Sequence, residues 1–368
     1  MKKKVLLLLL MSIILSVHPQ IGQARGEGEQ ASLIVKSSSR SLHQTVLNIK
    51  SPKVVQALLQ AYPQREVQEI PGTTNYILVE DNGLLRILAV DLTGNLYDVQ
   101  QKVLLHLDSN TEKKIISYFE RLHLYHFGQP VNWEEVDDII PRYTTFTVID
   151  LETGLRFKAQ RRAGNKHADV QPLTKTDTAI MKEIYGGKWS WKRRAVVIQH
   201  KGYKLAGSMH GMPHGGGALA NGFPGHFCIH FKDSVTHSTR SLDLSHQLMV
   251  HKAAGDLSSY VNELEAQEVV EALFIAINQH DLDLLNIVDP TISKQAKYLI
   301  DHVESIRFIK KNNPPTIQGD LVFELPLRFK IKQKGRKEVD SHYTFLLRRE
   351  SPTDPWRFHE LDEEKMIK

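Results

Sequence analysis

The chain has 368 residues, 41% of them hydrophobic and 24% charged, and a formal net charge of +5. That is enough apolar material for more than one core, and the length suggests about two or three domains. The charge is spread rather than packed into one tract. A solvated surface is the first reading, and attraction to an anionic surface such as a cell wall is a weak second. Beyond the first residues, no segment is apolar enough to cross a membrane.

Residues 1–24 read as a signal peptide. Lys2, Lys3 and Lys4 form a positive start, Val5 to Val17 a short apolar run, and Ala24 a small residue at the cleavage point. The run is shorter than the roughly 20 apolar residues that span a bilayer. The expectation is a secreted chain with no membrane span once mature. Residues 25–44 are mostly small, polar and charged, and read as a flexible leader.

Residues 45–127 read as a small α+β domain. Val54, Val55, Leu58 and Leu59 have helical spacing. Runs at 75–80 and 84–91 flank the turn signal Asp81-Asn82-Gly83 and predict a hairpin. Asp108 or Ser109 caps a predicted helix over 111–123. His106, His123 and His126 are scattered there and read as structural or exposed. Residues 128–142 read as a joint, opened by Gly128-Gln129-Pro130, continued by one or two acidic helical turns, and ended by Pro141.

From 143 to 255 strands dominate. They are predicted over 146–150, 155–161, 195–199 and 203–208. One helix is predicted over 176–185 with its cap at Thr176 or Asp177, and another over 245–254. Residues 255–261 read as a short linker. Residues 262–368 then offer helices over 262–278 and 293–302, followed by four strand-like runs. Helices before a long antiparallel sheet make an α+β layer pattern, similar in order to the nuclear transport factor 2 (NTF2)-like cone.

The chemistry concentrates between residues 207 and 255. This stretch holds the only cysteine, Cys228, with His210, His214, His226, His230, His237, His246 and His251. In an oxidising exterior, structural cysteines come in pairs, and Cys228 has no partner in the chain. A thiol flanked by imidazoles suits a nucleophile with a base beside it. If 225–231 is extended, His226, Cys228 and His230 share one face, and Phe227, Ile229 and Phe231 point into a core. A neighbouring imidazole lowers the thiol's pKa and raises the thiolate fraction. Upstream, His214 sits in Met212-Pro213-His214-Gly215-Gly216-Gly217, whose glycines let a bound chain come close.

The same donors leave a zinc reading open. His210 with His214, and His226 with His230, have HxxxH spacing, and His167 with Asp169 could add a carboxylate. That spacing puts both imidazoles on one face only in a helix. Pro213, the glycines and the expected strand argue against a helix, so no metal or other cofactor is assigned. His167 and Asp169 read as part of a loop between Gly164 and Pro172. Trp189, Trp191, Lys192, Arg193 and Arg194 form a basic aromatic patch, in which secretion argues against nucleic acid. Asp243 is a candidate to orient a histidine.

These residues resemble the catalytic domain of the L,D-transpeptidases (YkuD-like). That family carries a His-Gly loop and a Ser-His-Gly-Cys-[Ile/Val]-Arg signature. Here the signature reads Gly225-His226-Phe227-Cys228-Ile229-His230, and His214-Gly215 fits the loop better than His210-Gly211. Segments reading TGLRF, HADVQPLT and YGGKWSWKRR resemble a divergent clostridial and bacillar branch. The likeness covers about 143–255 and neither flanking domain. Phe227, Gly225 and His230 replace the family's Gly, Ser and Arg.

The resemblance implies a β-sandwich-like catalytic domain in a multidomain chain, acting on peptidoglycan stem peptides. Cys228 would form a thioester, with His226 as the base and His214 lining the donor pocket or polarising the carbonyl. His230, His210, Gly215, Gly225, Trp191 and Arg193 would contact substrate. Resolution by an amine gives an L,D-cross-link, and resolution by water trims a terminal D-amino acid. The implied place is extracytoplasmic and wall-associated. A zinc-dependent wall peptidase and a catalytically inactive wall-binding scaffold stay open as alternatives, and so does the oligomeric state.

Overall fold

The computed structural model describes residues 30–68, 70–81, 83–91, 93–236, 241–309 and 315–367. The expected signal peptide and His237 lie outside them. Among the described residues no helix is long and apolar enough to cross a membrane. The chain is β-rich and multidomain: a seven-stranded sheet, a closed six-stranded barrel and a five-stranded sheet follow one another.

The first sheet has the order β2-β1-β4-β5-β6-β7-β3. Its strands are β1 Gln30–Lys36, β2 Gln44–Ile49, β3 Tyr62–Glu66, β4 Asn75–Asp81, β5 Leu84–Val90, β6 Leu96–Asp98 and β7 Val103–His106. The leader expected over 25–44 is corrected here, because β1 lies between β2 and β4. Leu33 and Val35 enter one core and Ile34 another. A strand buried on both faces shows a continuous apolar run, so alternation does not reveal it. Helix α1 (Pro52–Leu59) follows β2. Helix α2 (Ser109–His126) starts at Asp108, whose carboxylate accepts from the N–H groups of Asn110 and Thr111.

The joint is packed rather than loose. Gly128 N donates to Ala253 O, Gln129 N to Lys204 O, and Ala206 N to Gln129 O. A Cβ on Gly128 would lie 2.5 Å from Ala206 N, so only glycine lets the chain pass. Helix α3 (Trp133–Ile139) buries Trp133 and Val136, which join Ile140 in the barrel core.

The barrel comprises β8 Thr145–Asp150, β9 Arg156–Ala163, β10 Ala168–Pro172, β11 Arg193–His200, β12 Tyr203–His210 and β13 Phe227–His230. The implied sandwich is a closed barrel instead, because β10 pairs with both β9 and β13. Strand alternation sorts the side chains. Val196 and Ile198 fill the barrel core, whereas Ala195 and Val197 face outward into the core shared with the flanking domains. Helix α4 (Lys175–Ile184) is capped by Thr174 in a capping box with Asp177, two residues before the nearer expected cap, Thr176. Helix α5 (Leu244–Ala254) packs on β11 and β12 and ends at Gly255 in the left-handed conformation, φ 80°.

The expected linker 255–261 is mostly helix α6 (Leu257–Asn262), with Leu257 and Val261 buried. The C-terminal unit continues with α7 (Ala266–Gln279), α8 (Leu282–Val288, not expected) and α9 (Ser293–His302). Its sheet has β14 Val303–Phe308, β15 Ile317–Gln318, β16 Val322–Gln333, β17 Glu338–Arg348 and β18 Arg357–Phe358. One polar group ties the units together. Lys252 Nζ on α5 lies 2.8 Å from Glu152 Oε1, in the β8–β9 turn, and 2.8 Å from Asp281 Oδ2, in the C-terminal unit. Ser38 Oγ, from the first unit, donates to Glu152 as well.

Candidate active site

Strand β13 places its side chains as alternation requires. Phe227 and Ile229 enter the barrel core, and Cys228 faces the other way. Cys228 forms no disulfide and is only 5% exposed. The nitrogen beside its sulfur belongs to His214: Sγ and Nε2 are 3.3 Å apart. His226, expected as the base, sits alongside. Its Nδ1 is 3.1 Å from Gly216 O, and its Nε2 is 3.8 Å from Asp169 Oδ1.

The loop that delivers His214 leaves the end of β12 and folds back on the start of β13. His214 N donates to His226 O at 3.0 Å and His226 N to His214 O at 2.9 Å. Two glycines permit this. Gly225 has φ 121°, and a Cβ there would lie 2.5 Å from His214 O. At Gly215, φ 59°, a Cβ would lie 2.4 Å from His226 Cε1. Both were expected as substrate contacts, and their place in the fold is to close this loop. His214 Nδ1 is 3.1 Å from Met212 O. A carbonyl only accepts, so Nδ1 carries the proton and Nε2 presents its lone pair to the thiol.

Asp169 stands opposite Cys228 in the β10–β13 register, with Oδ1 3.6 Å from Sγ. The sequence reading placed it in a loop, because Pro172 reads as a break. In the structure the proline ends a strand. Alternation across β10 would have found this residue. His230 is corrected as a substrate contact. It is 3% exposed, stacked between His167 at 4.3 Å and His246 at 3.8 Å, ring centre to ring centre. His246 in turn lies 2.9 Å from Ser208 Oγ through Nδ1. His210 ends β12, buried between the rings of Trp191 at 4.7 Å and His214 at 5.2 Å. Trp191 is half exposed, with its ring 5.7 Å from that of His214. Arg193 turns to the Asp243 carboxylate at 2.9 Å, and Asp243 caps α5 rather than orienting a histidine ring.

Burial pushes the Cys228 thiol above its ordinary value, and the charge of the Asp169 carboxylate, a second and more distant acceptor for the one S–H, pushes it further. This reverses the expected thiolate activation. Burial also holds His214 below the usual imidazole range, with His226 adding to the effect and the Met212 bond opposing it. His210 is pushed down to about 3, mainly by burial and then by Arg193. The resting pair is therefore a neutral thiol and a neutral imidazole of the accepting tautomer. Such a pair moves its proton during attack and stores no ion pair beforehand.

No family model, no curated protein and no solved structure matches this chain.

Proposed function

We propose that the protein is a secreted cell-wall acyltransferase of the L,D-transpeptidase kind, with the barrel as its YkuD-like catalytic unit and an NTF2-like C-terminal domain. The contact of Cys228 Sγ with the lone-pair nitrogen of His214, 3.3 Å away, carries the reading. The thiol proton passes to His214 Nε2 as Sγ attacks the carbonyl of the third stem residue. The Met212 carbonyl, bound to Nδ1, steadies the imidazolium. That imidazolium then protonates the amine of the departing D-amino acid, leaving a thioester on Cys228. An amine from a second stem resolves it into a cross-link, and water resolves it into a trimmed stem. Trp191 gives an apolar wall for the incoming stem, and the His214–His226 bridge holds base and nucleophile in register.

The test is incubation of the mature protein with cell-wall muropeptides, followed by intact mass of protein and products. The expected result is a stem-peptide adduct on the wild-type chain, absent in Cys228→Ala together with all turnover. Product formation that survives Cys228→Ala would defeat the proposal.

A further inference from the structure

We propose that Cys228, His214 and His210 form a binding site for a thiophilic divalent cation of the zinc type, and that its occupancy switches the thiol off. One donor atom from each of the three lies within 4.8 Å of the others. They come from three segments: the end of β12, the return loop and β13. Zinc holds thiolate sulfur at about 2.3 Å and imidazole nitrogen at about 2.0–2.1 Å. In a tetrahedron those lengths set sulfur and nitrogen about 3.5 Å apart, and two nitrogens about 3.4 Å apart. The Sγ–Nε2 separation of 3.3 Å is already within a few tenths of that. The widest separation, at most 4.8 Å, needs to close by no more than about 1.4 Å.

Two further observations favour a ligand here. His214 has the tautomer a metal requires, with Nε2 free of a proton and Nδ1–H on the Met212 carbonyl, the outer partner that ligating histidines usually have. His210 is 4% exposed, and its Nδ1 has no hydrogen-bond partner among the described residues. A buried imidazole so placed carries a desolvation cost that a cation would offset. A second set of donors, His167, Asp169 and Cys228, shares the sulfur. In that set His167 Nδ1 lies 2.9 Å from Val235 O and Nε2 3.5 Å from Asp169 Oδ1, and the His210 variants below decide between the two sets.

The step balances simply. Cys228–SH gives up one proton to solvent, the sulfur donates an electron pair to the cation, and both imidazoles bind as neutral donors. Once bound, neither the sulfur pair nor the His214 lone pair is available for attack. Cation binding stands on the donors alone, and the switching effect rests on the acyltransferase reading above.

The experiment adds zinc chloride alone to metal-free full-length protein. Bound zinc is counted by elemental analysis after desalting, and affinity comes from competition with a chromophoric chelator. The expected result is one zinc per chain with release of one proton. Binding should weaken by at least about tenfold in both His210→Ala and His210→Gln. In the wild type, zinc should slow iodoacetamide alkylation of Cys228 by at least about tenfold, with recovery on adding chelator. Wild-type protein that holds no more zinc than Cys228→Ser overturns the proposal. So does full affinity in either His210 variant, or zinc that binds without slowing alkylation. The alkylation reading needs no variant, so it stands even if both His210 variants fail to fold. Zinc that binds and protects a chain on which muropeptides leave no adduct keeps the site and removes the acyltransferase.

Discussion

Replacing His214 by alanine should remove the base while leaving the local backbone in place, because the His214–His226 bridge is made by main-chain atoms. A positioned general base contributes roughly 10²–10⁴-fold, about 3–5 kcal/mol of barrier. His226→Ala removes a bond to Gly216 O, the 3.8 Å approach to Asp169 and a ring contact with His214, together on the order of 1 kcal/mol or about fivefold. The ordering of the two variants is the discriminating quantity. Both are read as the rate of Cys228 acylation by muropeptides, measured by intact mass across pH. The base must be neutral, and its folded pKa lies below the ordinary 6.5. The rate should therefore persist below pH 6.5 and fall only as pH drops through that lower value. Alkylation of the resting wild-type thiol at neutral pH should be slower than that of a free cysteine peptide, because burial and Asp169 keep it protonated. A His226→Ala loss larger than that of His214→Ala, or a wild-type thiol faster than the peptide, would refute the assignment.

Three more outcomes follow from the geometry. Gly225→Ala places a side chain at φ 121° and against His214 O, so melting should fall by an equivalent of about 1–3 kcal/mol and acylation should slow; an unchanged melting temperature would count against the bridge. Lys252→Met strands two half-buried carboxylates and should cost about 1–3 kcal/mol in urea unfolding. His126, at about 2, and His246, also far below 6.5, stay neutral when folded but bind protons when unfolded. Their stabilising effect is present above pH 6.5 and is lost as pH falls toward the folded values. Between pH 7 and 5.5 the loss is on the order of 2 to 3 kcal/mol, and equal urea midpoints at the two pH values would contradict it.

Much of the fold was legible where local chemistry decides it. The hairpin around Gly83, the cap at Asp108 and the helix closing the barrel came from turn and capping residues whose effect spans a few positions. Elements decided by distant partners were not legible. Strand β1 looked like leader because Leu33, Ile34 and Val35 divide between two cores. The joint and the linker looked loose because Trp133, Val136, Leu257 and Val261 find their burial against other units. At the site, alternation gave the face of Cys228. It could not give the partner, since His214 arrives from 14 residues upstream through a loop whose closure depends on two glycine torsions. The thiol's protonation was hidden for a related reason: burial in the assembled fold raises its pKa first, and the carboxylate that raises it further belongs to a strand that a proline disguised.

The Lys252 cluster bears on whether the barrel is portable. Its cation sits on α5, one counter-charge sits in the barrel's own turn, and the other enters the chain only at Asp281. A ribosome finishes every barrel strand before that second carboxylate exists. The growing chain thus holds a half-compensated buried cation until the C-terminal unit docks. A barrel excised after Gly255 keeps a socket built for two anions and filled by one. Anyone transplanting the barrel as a cassette has to carry residue 281 along or replace the lysine with an apolar side chain of its length.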